Sequence, residues 1–485
     1  MNSPIRRLSL LAALLFLSLL LSTTWIQFVD AKSINAVPNN RRTQLFNYTQ
    51  QRGAILVAGD TIASSKPAAD EFKWTRVYAE GPRYAHVTGF FSFSIPPDRG
   101  LEYAENDLLS GRSDKLFYRR VSDLLTGRRP AGASLELTIN PKAQAAADTA
   151  LGNQRGAVVA IDPSTGAILA MVSHPAYDPN VLTLHDSAKL QAAWTKLTTA
   201  DGDPLINRAI SGNLYPPGST FKLITAAAAL ESGDYTKDSV IPGPAALDLP
   251  GVKDPLANHD HQPCGPDDKT TLDHALTISC NTAFAALGMK LGADALRAQA
   301  AKFGFGQTLH IPMTTTPSSV PAELNPPQTA QSAIGQFEVK ATPLQMAMVA
   351  AAIGNEGIVM QPYLVERVVS SDLKTIETAT HHELGTAISP GSAEQLTQMM
   401  TDVVSSGTGT PAQITGIAVA GKTGTAQHGV GAAPHAWFTG FAPAARPRVA
   451  VAVVVEDGGL AGSEAAGGTV AGPIAKAVME AVLNS

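Results

Sequence analysis

Three short motifs carry side chains that together could perform acyl-transfer chemistry. They are Ser219-Thr-Phe-Lys222, Ser279-Cys-Asn281 and Lys422-Thr-Gly424, in this order along the chain. Each motif alone has an ordinary structural explanation, because serine and asparagine often cap helices and lysine usually lies at the surface. Together the motifs supply a nucleophile with its base, a proton-relaying hydroxyl and a cation for a carboxylate. None of these roles requires a histidine.

The first motif predicts an activated serine. Pro216-Pro-Gly218 ends any preceding element, so Ser219 falls in the first turn of an apolar helix that runs to Leu230. Lys222 follows three positions later and lies on the same helix face. A serine hydroxyl is a weak nucleophile until a base takes its proton, and a lysine whose pKa is lowered by burial can act as that base.

The second motif places two polar side chains in an otherwise apolar helical stretch, Thr277–Ala283. Ser279 is predicted to relay a proton to a leaving amine, and Asn281 to orient Lys222 and the substrate amide. The alternative explanation is a serine and an asparagine that only cap a helix.

The third motif follows an apolar run, Ile417–Ala420, that predicts a strand. Lys422, Thr423 and Thr425 offer a charge and two hydroxyls to a substrate carboxylate. Gly424 would let a substrate backbone lie against the strand and pair with it.

The spacing around Lys422 also fits a phosphate-binding loop. Gly416 precedes Gly421 by five residues, which gives the pattern Gly-x4-Gly-Lys-Thr. A phosphate loop continues into a helix, whereas a strand hairpin is predicted here, and no carboxylate stands out as a magnesium ligand. The sequence therefore favours carboxylate binding over phosphate binding.

With these motifs the chain resembles the class B, monofunctional penicillin-binding proteins. The resemblance covers residues 133–485. Its further matches are Gly156-Ala-Val-Val, Thr165–Ala170, Tyr177–Asn180, Asn207-Arg208, Ile334–Gln336, Thr342–Gln345, Gly407-Thr-Gly409 and Trp437–Phe441. Nearer the N-terminus, Arg52-Gly53 and the stretch Tyr84–Ser92 are similar to the actinobacterial penicillin-binding protein A subgroup.

The resemblance implies a fold and an activity. The fold is a serine β-lactamase/transpeptidase-like α/β sandwich with an antiparallel sheet, preceded by a smaller mixed N-terminal domain and one transmembrane helix. The activity is that of a peptidoglycan D,D-transpeptidase, in which Ser219 attacks the D-Ala-D-Ala amide of a stem peptide and an amine of a neighbouring stem resolves the acyl-enzyme. The backbone N–H groups of Ser219 and Thr425 would form the oxyanion hole. β-Lactam antibiotics would acylate the same serine.

Three other functions remain open. A hydrolase of the same fold, either a D,D-carboxypeptidase or a β-lactamase, would carry the same motifs. Glu323-Leu-Asn325 resembles the deacylating motif of some β-lactamases, but a three-residue match in a Pro-rich loop is more often chance. A scaffold with an inactive site would instead bind division or elongation proteins through residues 31–150. A β-lactam sensor is disfavoured because a single anchor leaves no obvious cytoplasmic signalling domain.

The chain is predicted to have a membrane anchor at residues 1–30 and two further regions, 31–150 and 151–485, of which the second is catalytic. Arg6 and Arg7 precede an apolar run at 8–29 that is long enough to span a bilayer. This orientation places the catalytic region outside the plasma membrane. The alternative is a cleaved signal peptide, with a mature chain that begins near Ala31.

Periodicity supports the α/β class. Apolar runs predict a hairpin of Val158–Ile161 with Ala167–Val172, and two late strands, Ala436–Phe441 and Val449–Val455. Since strands from both ends of this region flank a long helical middle, one sheet with helices against it is expected. The aromatic stretch Tyr84–Phe91 is β-rich in composition.

The composition of the chain argues against some other classes of function. The chain has 485 residues, of which 16% are charged, and a net charge of -5, which gives no electrostatic reason to expect nucleic acid. No cofactor is implied.

Cys264 and Cys280 are expected to form a disulfide in an exported protein, the alternative being two free thiols. His259-Asp-His261 has poor zinc-ligand spacing and is predicted to be a solvated loop, so no metal is expected.

Overall fold

The computed structural model of the chain describes residues 3–35, 48–96, 98–117, 126, 131–212, 214–372, 374–429 and 431–485. The predicted region 31–150 therefore contains four segments, 36–47, 97, 118–125 and 127–130, that lie outside the described residues. Within the described part, a long N-terminal helix precedes two main sheets with helices packed against them.

The helices and strands are numbered in chain order over the described residues. The α-helices are α1 Ser3–Thr24, α2 Ala31–Asn35, α3 Gly81–Thr88, α4 Gly100–Ala104, α5 Asn106–Leu109, α6 Pro141–Leu151, α7 Ser187–Thr198, α8 Lys222–Glu231, α9 Leu272–Thr277, α10 Asn281–Leu291, α11 Ala293–Lys302, α12 Pro326–Ala333, α13 Pro343–Gly354, α14 Pro390–Ser405 and α15 Gly467–Leu483. A π-helical turn extends α1 over Trp25–Val29. The strands are β1 Ile55–Val57, β2 Asp60–Pro67, β3 Trp74–Tyr78, β4 Ser134–Leu137, β5 Gly156–Ile161, β6 Ile168–His174, β7 Val240–Pro242, β8 Ala246–Leu247, β9 Leu256–Ala257, β10 Lys269–Thr271, β11 Ile358–Met360, β12 Val365–Val369, β13 Thr375–Thr378, β14 Glu383–Thr386, β15 Ala420–Ala426, β16 His435–Ala442 and β17 Val449–Val455.

A five-stranded antiparallel sheet in the order β15-β16-β17-β5-β6 forms the centre of the catalytic region. Its middle strand β17 is a continuous run of valine and alanine because both faces are covered. Helices α6 and α15 pack on one face and α13 packs on the other. This is the predicted α/β sandwich, with a sheet assembled from both ends of the region. The third motif lies on β15, at the edge.

A second, six-stranded sheet has the order β13-β12-β4-β1-β2-β3. Strand β4 pairs in parallel with β1 and antiparallel with β12. Strand β12 lies more than 80 residues after the second motif in sequence. The sheet of the N-terminal region is therefore completed by strands from the later chain. Three small two-stranded sheets, β7 with β10, β8 with β9 and β11 with β14, lie outside these two.

The Arg52-Gly53 match of the N-terminal region has a structural explanation. Arg52 Nε donates to Glu102 Oε2 at 2.5 Å, and Arg76 Nε donates to Glu102 Oε1 at 2.6 Å. The Glu102 carboxylate is fully buried, so its charge must be paired to be tolerated. A Cβ on Gly53 would lie 1.8 Å from the carbonyl oxygen of Ala133, which leaves room for glycine only.

Two sequence-based expectations about local structure are wrong. The β-rich stretch Tyr84–Phe91 folds mainly as helix α3, because Pro82 opens the helix and Gly89, at φ = +70°, closes it. The strand expected at Ile417–Ala420 begins only at Ala420, because the chain just before it turns through Gly416 at φ = +77°.

Candidate active site

Ser219 lies on a 3₁₀ turn that leads directly into α8. The preceding residue fixes its place: the Gly218 N–H donates to the Gly335 carbonyl at 2.9 Å. Gly218 has φ = +53°, and a Cβ there would lie 2.9 Å from the carbonyl oxygen of Thr425 on β15. Glycine is therefore required for the turn to approach the edge strand, and the turn that carries the half-buried Ser219 packs against that strand.

Lys222 is the first residue of α8 and is fully buried. Its Nζ donates to the Ser279 carbonyl at 2.6 Å and to Asn281 Oδ1 at 2.8 Å. Burial, and secondly the charge of Lys422, lower the pKa of Lys222 well below 10.5. A neutral amine has two donors and one lone pair, so these two bonds leave the lone pair free to accept the Ser219 proton.

No hydrogen bond joins Lys222 to Ser219 within the described residues. Catalytic hydrogen bonds often tighten only when the substrate is bound, so the role of Lys222 as the base stays a prediction.

Ser279 connects the two lysines. Its Oγ accepts from Lys422 Nζ at 2.8 Å and lies 3.3 Å from Lys222 Nζ. Because Oγ accepts from Lys422, its own proton is free for donation to a leaving group. Ser279 also has φ = +62°, which costs a non-glycine residue of order 1–3 kcal/mol and is typical of functional positions.

Lys422 is fully buried on β15. Besides Ser279 Oγ, its Nζ contacts the Thr423 carbonyl at 3.0 Å. Burial lowers the pKa of Lys422 to about 7, so its charge at neutral pH depends on what binds beside it. A carboxylate close to the amine would raise that pKa and hold the proton in place.

Two threonine hydroxyls of β15 accompany this lysine. Thr425 is exposed, and its Oγ1 accepts from the Gly467 N–H at 3.4 Å. Thr423 is buried, and its Oγ1 lies 2.6 Å from Thr408 Oγ1. Since β15 is the edge of the described sheet, an extended ligand can pair with it, as the sequence predicts for a substrate. The carboxylate contacts of both residues stay predictions.

Gly424 serves a contact that sequence reasoning missed. A Cβ at this position would lie 2.9 Å from the Pro217 carbonyl oxygen and 3.0 Å from Thr220 Cγ2. The absent side chain therefore makes room for the turn that carries Ser219. The substrate contact predicted for Gly424 stays a prediction.

Three histidines outside the motifs, His259, His261 and His435, lie in other surroundings. His259 and His261 are exposed on a turn, in which Asp260 Oδ1 accepts from the Gln262 N–H at 3.1 Å. His435 is buried at the start of β16, where its Nδ1 accepts from a backbone N–H at 3.1 Å and burial lowers its pKa to about 4.

The Glu323-Leu-Asn325 match is also explained by local structure. Asn325 Oδ1 accepts from the Gln328 N–H at 3.0 Å, and Gln328 Oε1 accepts from the Asn325 N–H at 3.0 Å. This reciprocal pair is a capping box at the start of α12. Glu323 is exposed.

The sequence matches the family described as the penicillin binding protein transpeptidase domain over residues 156–480, more than half of the chain. This chain belongs to the penicillin-binding protein transpeptidase family. All three motifs lie inside the matched segment. Residues 52–135 match a second family, described as the penicillin binding protein A dimerisation domain.

Curated relatives cover the whole of this penicillin-binding protein. It is 44% identical over 493 aligned residues to the peptidoglycan D,D-transpeptidase PbpA of Mycolicibacterium smegmatis, covering 100% of this chain and 99% of the relative. It is 42% identical to the peptidoglycan D,D-transpeptidase PbpA of Mycobacterium tuberculosis, again covering 100% of this chain and 99% of the relative.

Solved structures are similar as well. Penicillin-binding protein A from M. tuberculosis as a ceftriaxone acyl-enzyme complex superimposes with a TM-score of 0.87 at 42% identity, covering 90% of this chain and 100% of that one. The penicillin G acyl-enzyme complex of the same protein gives a TM-score of 0.84 at 42% identity, with the same coverage.

The two cysteines of this penicillin-binding protein are joined in the structure. Cys264 and Cys280 form a disulfide with Cα atoms 6.0 Å apart. Cys280 is also the N-cap of α10, where its Sγ lies 3.4 Å from the Ala283 N–H. The bond ties the loop before β10 to the second motif.

Asn258 supports the same motif and was missed by sequence reasoning. Its Oδ1 accepts from the N–H groups of Asn281 and Thr282, each at 3.0 Å, and its Nδ2 donates to the Pro244 and Gln262 carbonyls at 3.0 and 2.8 Å. The side chain thereby caps α10, whose first residue holds Lys222. A single asparagine in a loop gives no sequence signal for such a role.

Replacing both cysteines by serine is expected to destabilise the protein by about 3 kcal/mol, because the bond closes a loop of 16 residues. Serine at position 280 can still cap α10, so penicillin labelling should survive. Chemical denaturation of the unaltered protein and the Cys264→Ser/Cys280→Ser variant measures the difference in free energy of unfolding. Equal stabilities would contradict the prediction, and mass spectrometry without reductant shows whether the bond is present.

Proposed function

We propose that this penicillin-binding protein is a peptidoglycan D,D-transpeptidase whose nucleophile is Ser219. One observation carries the proposal: two buried amines, of Lys222 and Lys422, converge on Ser279 Oγ beside the turn that presents Ser219. The two PbpA relatives bear the name of this activity, and the M. tuberculosis protein has been solved as a penicillin G acyl-enzyme complex.

Acylation begins with proton transfer. Lys222 Nζ accepts the proton of Ser219 as Oγ attacks the carbonyl carbon of the penultimate D-alanine of a stem peptide. Negative charge develops on the carbonyl oxygen, where the N–H groups of Ser219 and Thr425 would stabilise it. The terminal carboxylate of the stem lies at Thr423, Thr425 and Lys422 in this arrangement.

The tetrahedral intermediate then loses D-alanine. The C–N bond breaks, and the nitrogen of the leaving D-alanine takes the proton of Ser279 Oγ, which is replaced from Lys222 through their contact at 3.3 Å. An amine of a neighbouring stem attacks the resulting ester. A new amide forms, and the proton of the amine returns Ser219 to its hydroxyl form. A β-lactam acylates Ser219 in the same way. The amine that it releases stays attached to the acyl group and blocks the approach of the acceptor amine.

The pH dependence of acylation should be bell-shaped. Acylation needs Lys222 neutral, so the rate rises with pH through its lowered pKa. Binding of a carboxylate favours Lys422 charged, and its pKa of about 7 makes the second-order acylation rate constant fall above neutral pH. Stopped-flow acylation by penicillin G and by its uncharged methyl ester should share the rise, whereas only penicillin G shows the fall. Identical profiles for the two ligands would contradict these roles.

A product assay separates the transpeptidase from the hydrolases of the same fold. The full chain in detergent is given a stem peptide that ends in D-Ala-D-Ala, together with an acceptor amine, and the products are separated by mass spectrometry. Cross-linked product that depends on the acceptor supports the proposal. Release of D-alanine without cross-linking indicates a carboxypeptidase, and rapid turnover of penicillin indicates a β-lactamase. An unreactive protein indicates a scaffold.

We further propose a plasma-membrane location with the catalytic region outside the cell. Helix α1 with its π-helical extension, Ser3–Val29, is long and apolar enough to cross a membrane. The basic pair Arg6 and Arg7 at its start supports an N-terminus on the inside. A cleaved signal sequence has the same features, and Edman sequencing of the purified protein decides between them: a start near Ala31 would overturn the anchor.

Residues 31–150 are proposed to be a non-catalytic region that binds division or elongation proteins, and 151–485 the catalytic region. The match of residues 52–135 to a dimerisation family supports an interaction role. The boundary between 31–150 and 151–485 separates two functions and not two structural units, because two contacts cross it: β4 pairs with β12, and α6 packs on β6. Cross-linking in cells from positions within 52–135 tests this role. Capture of division or elongation proteins supports it, and capture of none contradicts it.

A further inference from the structure

The loop Gly407-Thr408-Gly409, after α14, lies between the second and third motifs. The Thr408 N–H donates to the carbonyl of Thr277, two residues before Ser279, at 3.3 Å. The Thr408 hydroxyl lies 2.6 Å from that of Thr423. Thr408 therefore contacts the segments that carry both motifs.

The loop has little freedom to move away from this position. A Cβ on Gly407 would lie 2.3 Å from the Thr277 carbonyl oxygen, and a Cβ on Gly468 would lie 2.1 Å from the Thr408 carbonyl oxygen. The backbone on both sides is in close contact, so the side chain of Thr408 is held against Thr423.

The short contact between the two hydroxyls restricts where their protons can be. Each hydroxyl has one proton, and only one of the two can donate across 2.6 Å. If Thr408 donates, Thr423 Oγ1 becomes an acceptor and its own proton is free for a ligand. If Thr423 donates, it has no proton left for a ligand. An anion beside Thr423 favours the first arrangement. In that arrangement the hydrogen bond from Thr408 to Thr423 strengthens the hydrogen bond from Thr423 to the anion.

We propose that Thr408 is a positioning residue that directs the Thr423 hydroxyl toward the terminal carboxylate of the ligand and so favours ligands that carry this carboxylate. The inference rests on the proposed function, because it assumes acylation of Ser219 by ligands bound along β15. Thr408 acts through Thr423 and takes no part in proton transfer at Ser219.

The other polar groups at the carboxylate site, on Lys422 and Thr425, make the orientation of the Thr423 hydroxyl important for binding. Lys422 Nζ already contacts Ser279 Oγ at 2.8 Å and the Thr423 carbonyl at 3.0 Å, so two of its donors are in use. Thr425 Oγ1 accepts only a long bond, of 3.4 Å, from Gly467. Thr423 is the hydroxyl of this strand whose orientation is fixed by a short bond.

The test compares Thr408→Val with Thr408→Ser, using penicillin G and its methyl ester as probes on the full chain in detergent. Valine keeps the shape of threonine but cannot donate, whereas serine restores the hydroxyl. Thr408→Val is expected to slow acylation by penicillin G about three- to tenfold, the loss typical of one hydrogen bond, and to leave acylation by the ester unchanged. Thr408→Ser should behave like the unaltered protein.

Thr410→Val is the matched control, because Thr410 is an exposed threonine two residues along the same loop. It should leave both rate constants unchanged. Equal slowing of both probes by Thr408→Val would mean a merely structural role and would overturn the assignment, as would no slowing of either. Failure of the unaltered protein to be acylated at all would instead overturn the proposed function, and the assignment with it.

Discussion

Replacing Ser219 by alanine is expected to abolish covalent labelling of the protein by penicillin. Without Oγ no acyl ester can form, and the loss of one oxygen from a half-buried side chain leaves the packing around it intact. The measurement is intact-protein mass spectrometry after incubation with penicillin G. The unaltered protein should gain the mass of the antibiotic, and Ser219→Ala should gain none.

The matched control is Ser232→Ala, just beyond the other end of α8. The Ser232 hydroxyl donates to the Ala229 carbonyl at 2.7 Å and lies away from the two lysines. This variant should be labelled as fully as the unaltered protein. Labelling that survives in Ser219→Ala would identify a different nucleophile and contradict the assignment.

Replacing Lys222 by methionine is expected to slow acylation about 10²- to 10⁴-fold, the usual contribution of a general base. Methionine fills most of the buried volume of the lysine but cannot accept the Ser219 proton. Stopped-flow measurement of the acylation rate constant with penicillin G gives the effect. Melting temperature and circular dichroism report whether the fold persists.

Lys222→Arg separates the role of a base from that of a positive charge. Arginine keeps the charge but is not deprotonated in proteins, so it should be as slow as methionine if Lys222 is the base. An arginine variant close to the unaltered rate would show that charge alone matters. Lys290→Met, at an exposed lysine of α10, is the control for loss of a lysine and should leave the rate unchanged.

Much of the site could be predicted because its parts are local in sequence. The spacing of Ser219 and Lys222 follows from one helical turn, and the proline-glycine start before them is read directly from the chain. The strands β16 and β17 follow from runs of apolar residues, which need only the immediate neighbours to be recognised. The family resemblance rested on the same local strings, and the comparisons bear it out.

Other parts could not be predicted because they depend on segments distant in sequence. Asn258 acts on α10 from a loop with no recognisable pattern, and Thr408 contacts Thr423 at a sequence separation of 15. Helix α3 was missed because composition favoured a strand, whereas its ends and the burial of its side chains favour a helix.

The sequence by itself determined the chemical groups of this protein: a serine, two lysines and a relay hydroxyl. Only the tertiary structure decided how they act on one another. It buries Lys222 and Lys422 and brings both amines to Ser279 Oγ. Burial lowers the pKa of each lysine, and the charge of Lys422 lowers the pKa of Lys222 further. A pKa shift is a property of the surroundings of a group, and the chain supplies those surroundings only when it folds.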